Sequence, residues 1–251
     1  MARKRQNIFR KVMWFEKDTC DAAFYAKIES KREVSVHPRY KSGEYYSEKS
    51  KRDIQHESGL EEKFFKKLEG IKRVLYYWHQ PIRAPYWRGN IRTHTTPDVG
   101  VIFKDLKVVI VEVKPLRSML DYKVQMKVEG LLRYCAQNGC GLLFTDGTNT
   151  VENIRKVKCN KKLEKDILEV LKDHTLMEKE CKEILKKHDA KQIELLKIIL
   201  KNKLKYQSYP FKLELCCYEN ELFYQVFYKK KRYDDLMKEL SLIHISEPTR
   251  L

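Results

Sequence analysis

Two neighbouring stretches of the chain decide its fold: Thr96-Pro97-Asp98-Val99-Gly100-Val101-Ile102-Phe103 and Val108-Val109-Ile110-Val111-Glu112-Val113-Lys114. Both are rich in β-branched residues, which favour strands. The second is almost wholly apolar as far as Val111, which is typical of a central strand covered on both faces. Glu112 and Lys114 interrupt that apolar run. Because buried charges are costly without partners, this end of the strand is predicted to carry a site.

The residues at this end have the chemistry of a metal-dependent hydrolase. Side chains two apart in a strand point to the same face, so Glu112 and Lys114 project together. Asp98, near the start of the neighbouring strand, can lie beside Glu112. Two clustered carboxylates repel each other, and Mg²⁺, held by them and by the Val113 carbonyl, is the usual remedy. Lys114 would orient and stabilise the hydroxide that attacks a phosphodiester. The alternative to a site is that Asp98 is an ordinary turn residue and that Glu112 and Lys114 lie on an exposed strand.

Glu61 has two interpretations that the residues alone leave open. Ser58-x-x-Glu61 matches a capping box, in which the carboxylate reaches back to the Ser58 backbone N–H. The same carboxylate is also a candidate third acidic group, which the helix would bring to the metal.

The order of predicted elements describes a mixed sheet flanked by helices, an α/β fold. A helix begins at Ser58 and stops at Gly70. The predicted strands of this part are Val74–Trp78, Ile82–Tyr86, Pro97–Phe103, Val108–Val113 and Gly141–Thr145, with a helix Met119–Gln137 before the last.

After Asn149 the composition changes, and the stretch Lys161–Lys205 is dense in Lys, Glu, Leu and Ile. The predicted helices are Leu163–Leu171, Leu176–His188 and Ala190–Lys203, and the predicted strands are Phe211–Cys217 and Leu222–Tyr228. Three helices and a hairpin indicate a helical or winged-helix-like domain over residues 155–239. A charged helix pair that serves only as an interaction surface is the alternative.

The predicted domains are therefore a basic extension at 1–56 that packs on the core, a core at 57–154 and the C-terminal domain at 155–239. Residues 240–251 are expected to be a tail derived from a sequencing adapter, because Leu240–Arg250 looks like the translation of a transposase-based library adapter. On that interpretation the natural protein was interrupted near Glu239.

The composition favours a nucleic-acid-binding protein. The chain of 251 residues has 52 Lys and Arg against 35 Asp and Glu, a formal net charge of +17, which attracts polyanions. No stretch approaches the ~20 apolar residues of a membrane span, and the basic start lacks the apolar run of a secretory signal. The seven cysteines lack the spacing of a metal site, and their odd number argues against a closed set of disulfides. We therefore expect a protein of the reducing cytoplasm.

Arg83, Trp87, Arg88 and Arg92 form a basic stretch that, with Tyr86, is a candidate nucleic-acid-binding surface. An ordinary hairpin rim with solvated charges is an equal alternative. His79 and His94 flank the candidate site and are expected to be surface or phosphate-contacting residues rather than proton shuttles. The Cys216-Cys217 pair is expected to be strand packing.

A series of short motifs resembles the catalytic domain of TnsA-type transposon-end endonucleases, members of the PD-(D/E)XK nuclease superfamily. The similarity covers roughly residues 40–154. The motifs are Glu57-Ser58-Gly59-Leu60-Glu61, Gln80-Pro81, Thr96-Pro97-Asp98, Val111-Glu112-Val113-Lys114-Pro115, Leu120-Asp121, Arg133-Tyr134 and Phe144-Thr145-Asp146.

The resemblance implies a restriction-endonuclease-like core and assigns a role to each motif residue. Glu61, Asp98 and Glu112 would be catalytic carboxylates that bind Mg²⁺ (or Mn²⁺), Lys114 the catalytic lysine, and Gln80 a structural or orienting residue. Such enzymes cleave one strand at transposon ends, as the small subunit of a heteromeric transposase. The implied partners are double-stranded DNA, a DDE-type transposase subunit and an ATPase regulator.

Two other functions remain open at this point. A Holliday-junction resolvase of the phage endonuclease I type shows the same Ser-Gly-Leu-Glu, Thr-Pro-Asp and Glu-x-Lys motifs but lacks the C-terminal domain. A non-catalytic DNA-binding adaptor with a degenerate nuclease core is the other, and the presence of all four polar site residues argues against it.

Overall fold

The computed structural model describes residues 7–17, 19–26, 42–215 and 220–246. The elements before residue 156 are α1 (Ala22–Ala26), β1 (Gly43–Ser47), β2 (Arg52–His56), α2 (Gly59–Glu69), β3 (Val74–His79), β4 (Ala84–Arg88), β5 (Ile91–Thr95), β6 (Val99–Phe103), β7 (Val108–Val113), α3 (Tyr122–Asn138), β8 (Gly141–Thr145) and α4 (Val151–Arg155). Those that follow are α5 (Lys161–Asp173), β9 (Leu176–Met177), α6 (Glu178–Lys187), α7 (Gln192–Lys201), β10 (Lys205–Ser208), β11 (Phe211–Glu214), α8 (Glu221–Phe227) and α9 (Tyr233–Ser246). Short 3-10 turns cover Ile8–Lys11 and Leu116–Leu120.

A four-stranded sheet in the order β3-β6-β7-β8 lies at the centre of this mixed α/β fold. The pairs β3–β6 and β6–β7 are antiparallel, and β7–β8 is parallel. This pairing brings the ends of β3, β7 and β8 and the start of β6 to one edge of the sheet, because His79 pairs with Val99, Val99 with Val111, and Val113 with Thr145. The predicted strands in this sheet are therefore confirmed, with ends that differ by at most two residues.

The sheet is covered on both faces, as the apolar run in β7 predicts. Val109, Val111 and Val113 belong to a cluster that includes Phe64, Phe65 and Leu68 of α2. Val108 and Ile110 belong to a second cluster that includes Val128, Leu131 and Leu132 of α3. Because side chains alternate along a strand, Glu112 falls on the α3 side of β7.

Helix α2 begins and ends where the sequence predicts. The Ser58 hydroxyl accepts a hydrogen bond from the Glu61 backbone N–H at 3.2 Å, which satisfies one of the N–H groups left unpaired at a helix start. Gly70 lies at the other end, where its backbone N–H donates to the Lys67 carbonyl at 3.2 Å. The helix is thereby fixed with its first turn close to the edge of the sheet that ends β7.

The predicted strand Ile82–Tyr86 is shifted and lies outside the main sheet. Ala84–Arg88 pairs instead with Ile91–Thr95 in a separate antiparallel hairpin that packs on α3. The hairpin turn holds Gly89 at φ +57°, a backbone conformation that favours glycine. Sequence patterns do not show which strands share a sheet, so the separation could not be predicted.

The described parts of residues 1–56 pack on the core. Met13 exchanges two backbone hydrogen bonds with Leu142 of β8, at 2.8 and 2.9 Å, and Phe9 and Phe15 are buried. Strands β1 and β2 form a hairpin whose Ile54 is buried in the α2 cluster. Residues 1–6, 18 and 27–41 of this predicted extension lie outside the described residues.

The C-terminal part is joined to the sheet along α3. The Asp121 carboxylate accepts from the Ser208 backbone N–H at 2.9 Å and from its hydroxyl at 3.1 Å. Further along α3, the Glu129 carboxylate accepts from the Phe223 backbone N–H at 2.8 Å. The hydrophobic cluster on this face is continuous from Val108 to Leu236, so the two parts share one core.

The three helices predicted after residue 160 are present, but one predicted strand is wrong. Residues 222–227 of the predicted strand Leu222–Tyr228 lie instead in helix α8, which buries Leu222, Phe223, Tyr224 and Val226. A short apolar and aromatic run is compatible with either a buried strand or a buried helix, and here contacts with α3 favour the helix. Cys216-Cys217 and residues 247–251 of the predicted tail lie outside the described residues.

None of the helices in the described part of the chain is long and apolar enough to cross a membrane.

Replacement of Gly130 by alanine tests the packing of the β4–β5 hairpin on α3. A Cβ at this helical position would lie 2.6 Å from the Tyr86 Cβ and 2.8 Å from the Pro85 carbonyl oxygen. A helix-interior Gly→Ala change ordinarily stabilises by about 1 kcal/mol. Here we expect Gly130→Ala to lower the free energy of unfolding by about 1–3 kcal/mol, as overpacking does, in urea denaturation.

Gly70→Ala is the matched control, because a Cβ there would meet the Lys67 carbonyl oxygen at an ordinary 3.6 Å. Gly130→Ala unfolding at a higher urea concentration than wild type would contradict the close contact.

Candidate active site

Asp98 is held at the edge of the sheet by both neighbouring strands. Its Oδ2 accepts from the Val113 backbone N–H at 2.6 Å, and its carbonyl accepts from the Gln80 backbone N–H at 3.0 Å. The position just before β6, between β3 and β7, follows from the sheet order. The carboxylate is thus fixed beside the end of β7.

Lys114 joins Asp98 to Glu112. Its Nζ lies 3.1 Å from Asp98 Oδ2 and 3.0 Å from Glu112 Oε1. Glu112 is 2% exposed, whereas the Lys114 side chain keeps some contact with solvent. The structure therefore brings together three of the four predicted catalytic residues, with the ammonium between two carboxylates.

The charges of this cluster shift the pKa values of Glu112 and Lys114. Burial, and next the Asp98 carboxylate, raise the pKa of Glu112 to about 7, although Lys114 opposes the shift. Burial alone would lower the pKa of Lys114, but the Asp98 and Glu112 carboxylates outweigh it and raise that pKa. Lys114 is therefore cationic at neutral pH, whereas Glu112 titrates near neutrality and a further cation nearby would favour its ionised form.

The donor set at this edge fits a hard divalent cation. Oε2 of Glu112 is buried and accepts no hydrogen bond within the described part of the chain. Asp98 supplies a second carboxylate, and the Val113 carbonyl belongs to the same strand end; all are oxygen donors, which Mg²⁺ prefers. Among the described residues, however, no three His, Cys, Asp or Glu side chains are grouped to hold a metal ion.

Glu61 is held at the start of α2 rather than grouped with the other two acids. Its Oε2 accepts from the Glu57 backbone N–H and its Oε1 from the Ser58 hydroxyl, both at 2.8 Å. The carboxylate thus caps the helix, although through the Glu57 N–H and not the predicted Ser58 N–H. Its charge is close enough to raise the pKa of Lys114. Its role as a metal ligand stays a prediction.

Gln80 connects the start of α2 with the loop that carries Asp98. Its backbone has φ +47°, in the left-handed region, and its side-chain Nε2 donates to Glu57 Oε1 at 3.2 Å. Its backbone N–H is the group that holds the Asp98 carbonyl. This geometry is what an orienting residue requires.

Lys127 of α3 is a neighbour of the site that the sequence patterns did not indicate. Its positive charge opposes the rise in the pKa of Glu112.

His79 is not the surface residue that the sequence predicts. It is 8% exposed, and the Gln55 backbone N–H lies 3.3 Å from its Nδ1. Burial, and next the Arg52 charge, lower the pKa of His79 to about 4, so the ring is neutral at pH 7. The sequence of β3, Val-Leu-Tyr-Tyr-Trp-His, has no polar–apolar alternation that could have indicated this burial. His94 lies exposed on β5.

The predicted nucleic-acid-binding residues lie on or beside the β4–β5 hairpin. Trp87 and Arg92 are cross-strand partners, and Trp87 is 57% exposed. Arg83 and Arg88 are exposed as well, whereas Tyr86 is buried against α3. Alternation puts Trp87, Arg92 and His94 on the solvent face of the hairpin. This face combines positive charge with a large exposed ring.

No protein-family model matches this chain, and no curated protein matches it.

His79→Gln tests the burial of the neutral imidazole. A histidine whose pKa is about 4 in the folded state and about 6.5 unfolded contributes stability that is complete above pH 6.5 and is lost as the pH falls toward 4. Between pH 7 and pH 4 we expect the free energy of unfolding of wild type to fall by about 3 kcal/mol more than that of His79→Gln.

The exposed His94→Gln is the control, since no such difference is expected there. The measurement is urea unfolding in EDTA at each pH. Parallel pH profiles for wild type and His79→Gln would show that the ring titrates normally in the folded protein.

Proposed function

We propose that this protein is a Mg²⁺-dependent DNA endonuclease, with Asp98, Glu112 and Lys114 as its catalytic centre. The observation that carries the proposal is the Asp98–Lys114–Glu112 cluster at the edge of the sheet, in which Glu112 Oε2 is buried with no hydrogen-bond partner among the described residues. A buried carboxylate oxygen without a donor is costly unless a cation or a proton compensates it. A divalent cation fits that requirement.

Each residue of the chain has a definable part in phosphodiester hydrolysis. Asp98, Glu112 and the Val113 carbonyl would hold Mg²⁺, or Mn²⁺ in its place, with Glu61 a further ligand either directly or through water. The bound ion would supply Lewis-acid stabilisation of the phosphoryl charge and a lowered pKa for water. Lys114, held by two carboxylates, would orient the attacking water and stabilise the developing negative charge. Asp98 also positions Lys114.

DNA is the substrate that the charge and the surface favour. The net charge of +17 suits a polyanion, and the exposed Trp87 and Arg92 beside Arg88 suit contacts with phosphates and an unpaired base. A hairpin of this shape is one of the elements by which proteins contact a DNA groove.

The finer fold and family assignments are also proposals. A sheet with a catalytic edge and helices on both faces is compatible with a restriction-endonuclease-like core, and the order α5-β9-α6-α7-β10-β11 with a β10-β11-β9 sheet is compatible with a winged-helix-like unit. Together with the motif resemblance, this supports a TnsA-type enzyme that cleaves one strand at transposon ends. Its partners would be a DDE-type transposase subunit and an ATPase regulator.

The experiment that tests the proposal is nicking of supercoiled plasmid and of a four-way junction in Mg²⁺ or Mn²⁺. Asp98→Ala and Lys114→Ala are each expected to reduce nicking at least 100-fold, because each removes a group that acts on the reacting phosphate. EDTA should abolish nicking by wild type.

Asp105→Ala and Lys104→Ala are matched controls, because they remove the same residue types from the turn at the opposite end of β6 and β7. Equal nicking by wild type, Asp98→Ala and Lys114→Ala would contradict the site. Marked preference for the junction would favour the resolvase alternative. Should wild type prove silent alone, the assay is repeated on transposon ends with the transposase partner, and silence there too would overturn the proposal.

Glu61→Gln and Ser58→Ala separate the two roles of Glu61. A glutamine can still accept at the helix start, so we expect Glu61→Gln to leave the thermal midpoint nearly unchanged while it reduces nicking at least 10-fold, since a ligand charge is lost. Ser58→Ala should lower the free energy of unfolding by about 1 kcal/mol with a smaller effect on nicking. Normal nicking by Glu61→Gln would restrict Glu61 to capping.

A further inference from the structure

The third helix of the C-terminal unit is not available to DNA. In helix-turn-helix proteins the recognition helix lies in the major groove. Here every residue of α7 from Leu195 to Leu200 is buried, as the helix packs against α4 and the turn Leu116–Leu120. Even Lys197 is directed inward, where its Nζ donates to the Arg155 carbonyl at 2.6 Å. The helix is therefore part of the shared core.

The β10–β11 hairpin, residues 205–214, is by contrast fixed to the core along its strands and exposed at its turn. Ser208 is hydrogen-bonded to the buried Asp121 at the start of α3. Tyr206 and Leu213, paired across the hairpin, are both buried. Tyr209, in the turn, is 91% exposed. A hairpin fixed to the core thus presents a large aromatic ring to solvent at its turn.

Positive charge surrounds this hairpin. Lys205 and Lys212 are exposed on it, and Arg117 and Lys123 are exposed on the adjoining turn and on α3. The one carboxylate on the hairpin, Glu214, is paired with Lys205 at 3.3 Å. The surface is therefore positive, and an exposed tyrosine is held within it.

The hairpin is connected to the candidate active site by a short, structured path. From Lys114 the chain passes through the turn Leu116–Leu120 directly to Asp121, which holds Ser208. Arg117, within that turn, and Lys123, just after Asp121, are both exposed. Basic side chains thus lie along the segment that links Lys114 to the hairpin.

We infer that the β10–β11 hairpin, and not α7, is the element of the C-terminal unit that contacts DNA. Lys212 binds the phosphate backbone of the duplex next to the scissile phosphate, and Tyr209 packs against the sugar and base edges. Such contacts hold the substrate without sequence recognition. This inference rests on the proposed function.

The test compares DNA binding by the full chain and by Tyr209→Ala/Lys212→Ala, using fluorescence anisotropy with a labelled duplex of arbitrary sequence in EDTA. We expect binding at least 10-fold weaker. The slope of log affinity against log salt should fall by about 1, because one phosphate contact is lost. Tyr46→Ala/Lys186→Ala is the matched control, since it removes the same residue types from exposed positions on β1 and α6; less than a 2-fold change is expected.

Lys191→Ala/Gln192→Ala, at the exposed start of α7, is the competing variant. A larger loss of affinity there than in the hairpin variant would overturn the inference, as would unchanged affinity in the hairpin variant or no binding by wild type. A hairpin that instead docks a protein subunit would leave the DNA affinity unchanged. Because binding is measured without metal, an absence of nicking would defeat the proposed nuclease and leave this result standing.

Discussion

The burial of the Glu112 carboxylate at the end of an apolar strand is the constraint on which the site depends. Removing such a group from water costs several kcal/mol unless partners compensate. Lys114 supplies one ion pair at 3.0 Å, and Lys114 is in turn held by Asp98 at 3.1 Å. Asp98 accepts from the Val113 backbone N–H, within the strand that carries both other residues. The three residues therefore depend on one another, and all depend on the β6–β7 pairing.

The surrounding fold serves to hold that edge rigid. The α2 cluster fills one face of the sheet and the α3 cluster fills the other, so β7 has no freedom to move relative to β6. Gln80, at a positive φ, brings the end of β3 against the Asp98 carbonyl while its side chain reaches Glu57 before α2. Backbone strain at such a position persists when the surrounding contacts hold it. A site built in this way is preorganised for a ligand of fixed geometry.

Sequence patterns predicted the central strands and the grouping of Asp98, Glu112 and Lys114. The alternation of side chains along each strand and the order of the strands together determine which side chains lie at the same end of the sheet. They could not place Glu61, since one carboxylate can satisfy a helix start and still lie within electrostatic range of Lys114. They misassigned residues 222–227 as a strand, because contacts with α3 make this short apolar run a helix. The burial of His79 and the charge of Lys127 near Glu112 likewise arise from tertiary packing, which no local pattern encodes.

The packing of α7 also determines which parts of the C-terminal unit stay accessible to solvent. Helix α7 has an apolar run, Leu195–Leu200, which in a free winged-helix module would need a covering surface. Here α4 and the turn after Lys114 cover it, so the C-terminal unit stabilises the segment that leads from the candidate active site into α3. The buried residues of this helix are not available to a DNA groove. In the described part of the unit, the hairpin that Asp121 holds exposes Tyr209 instead. Stability and the inferred DNA contact thus fall to different elements of the unit.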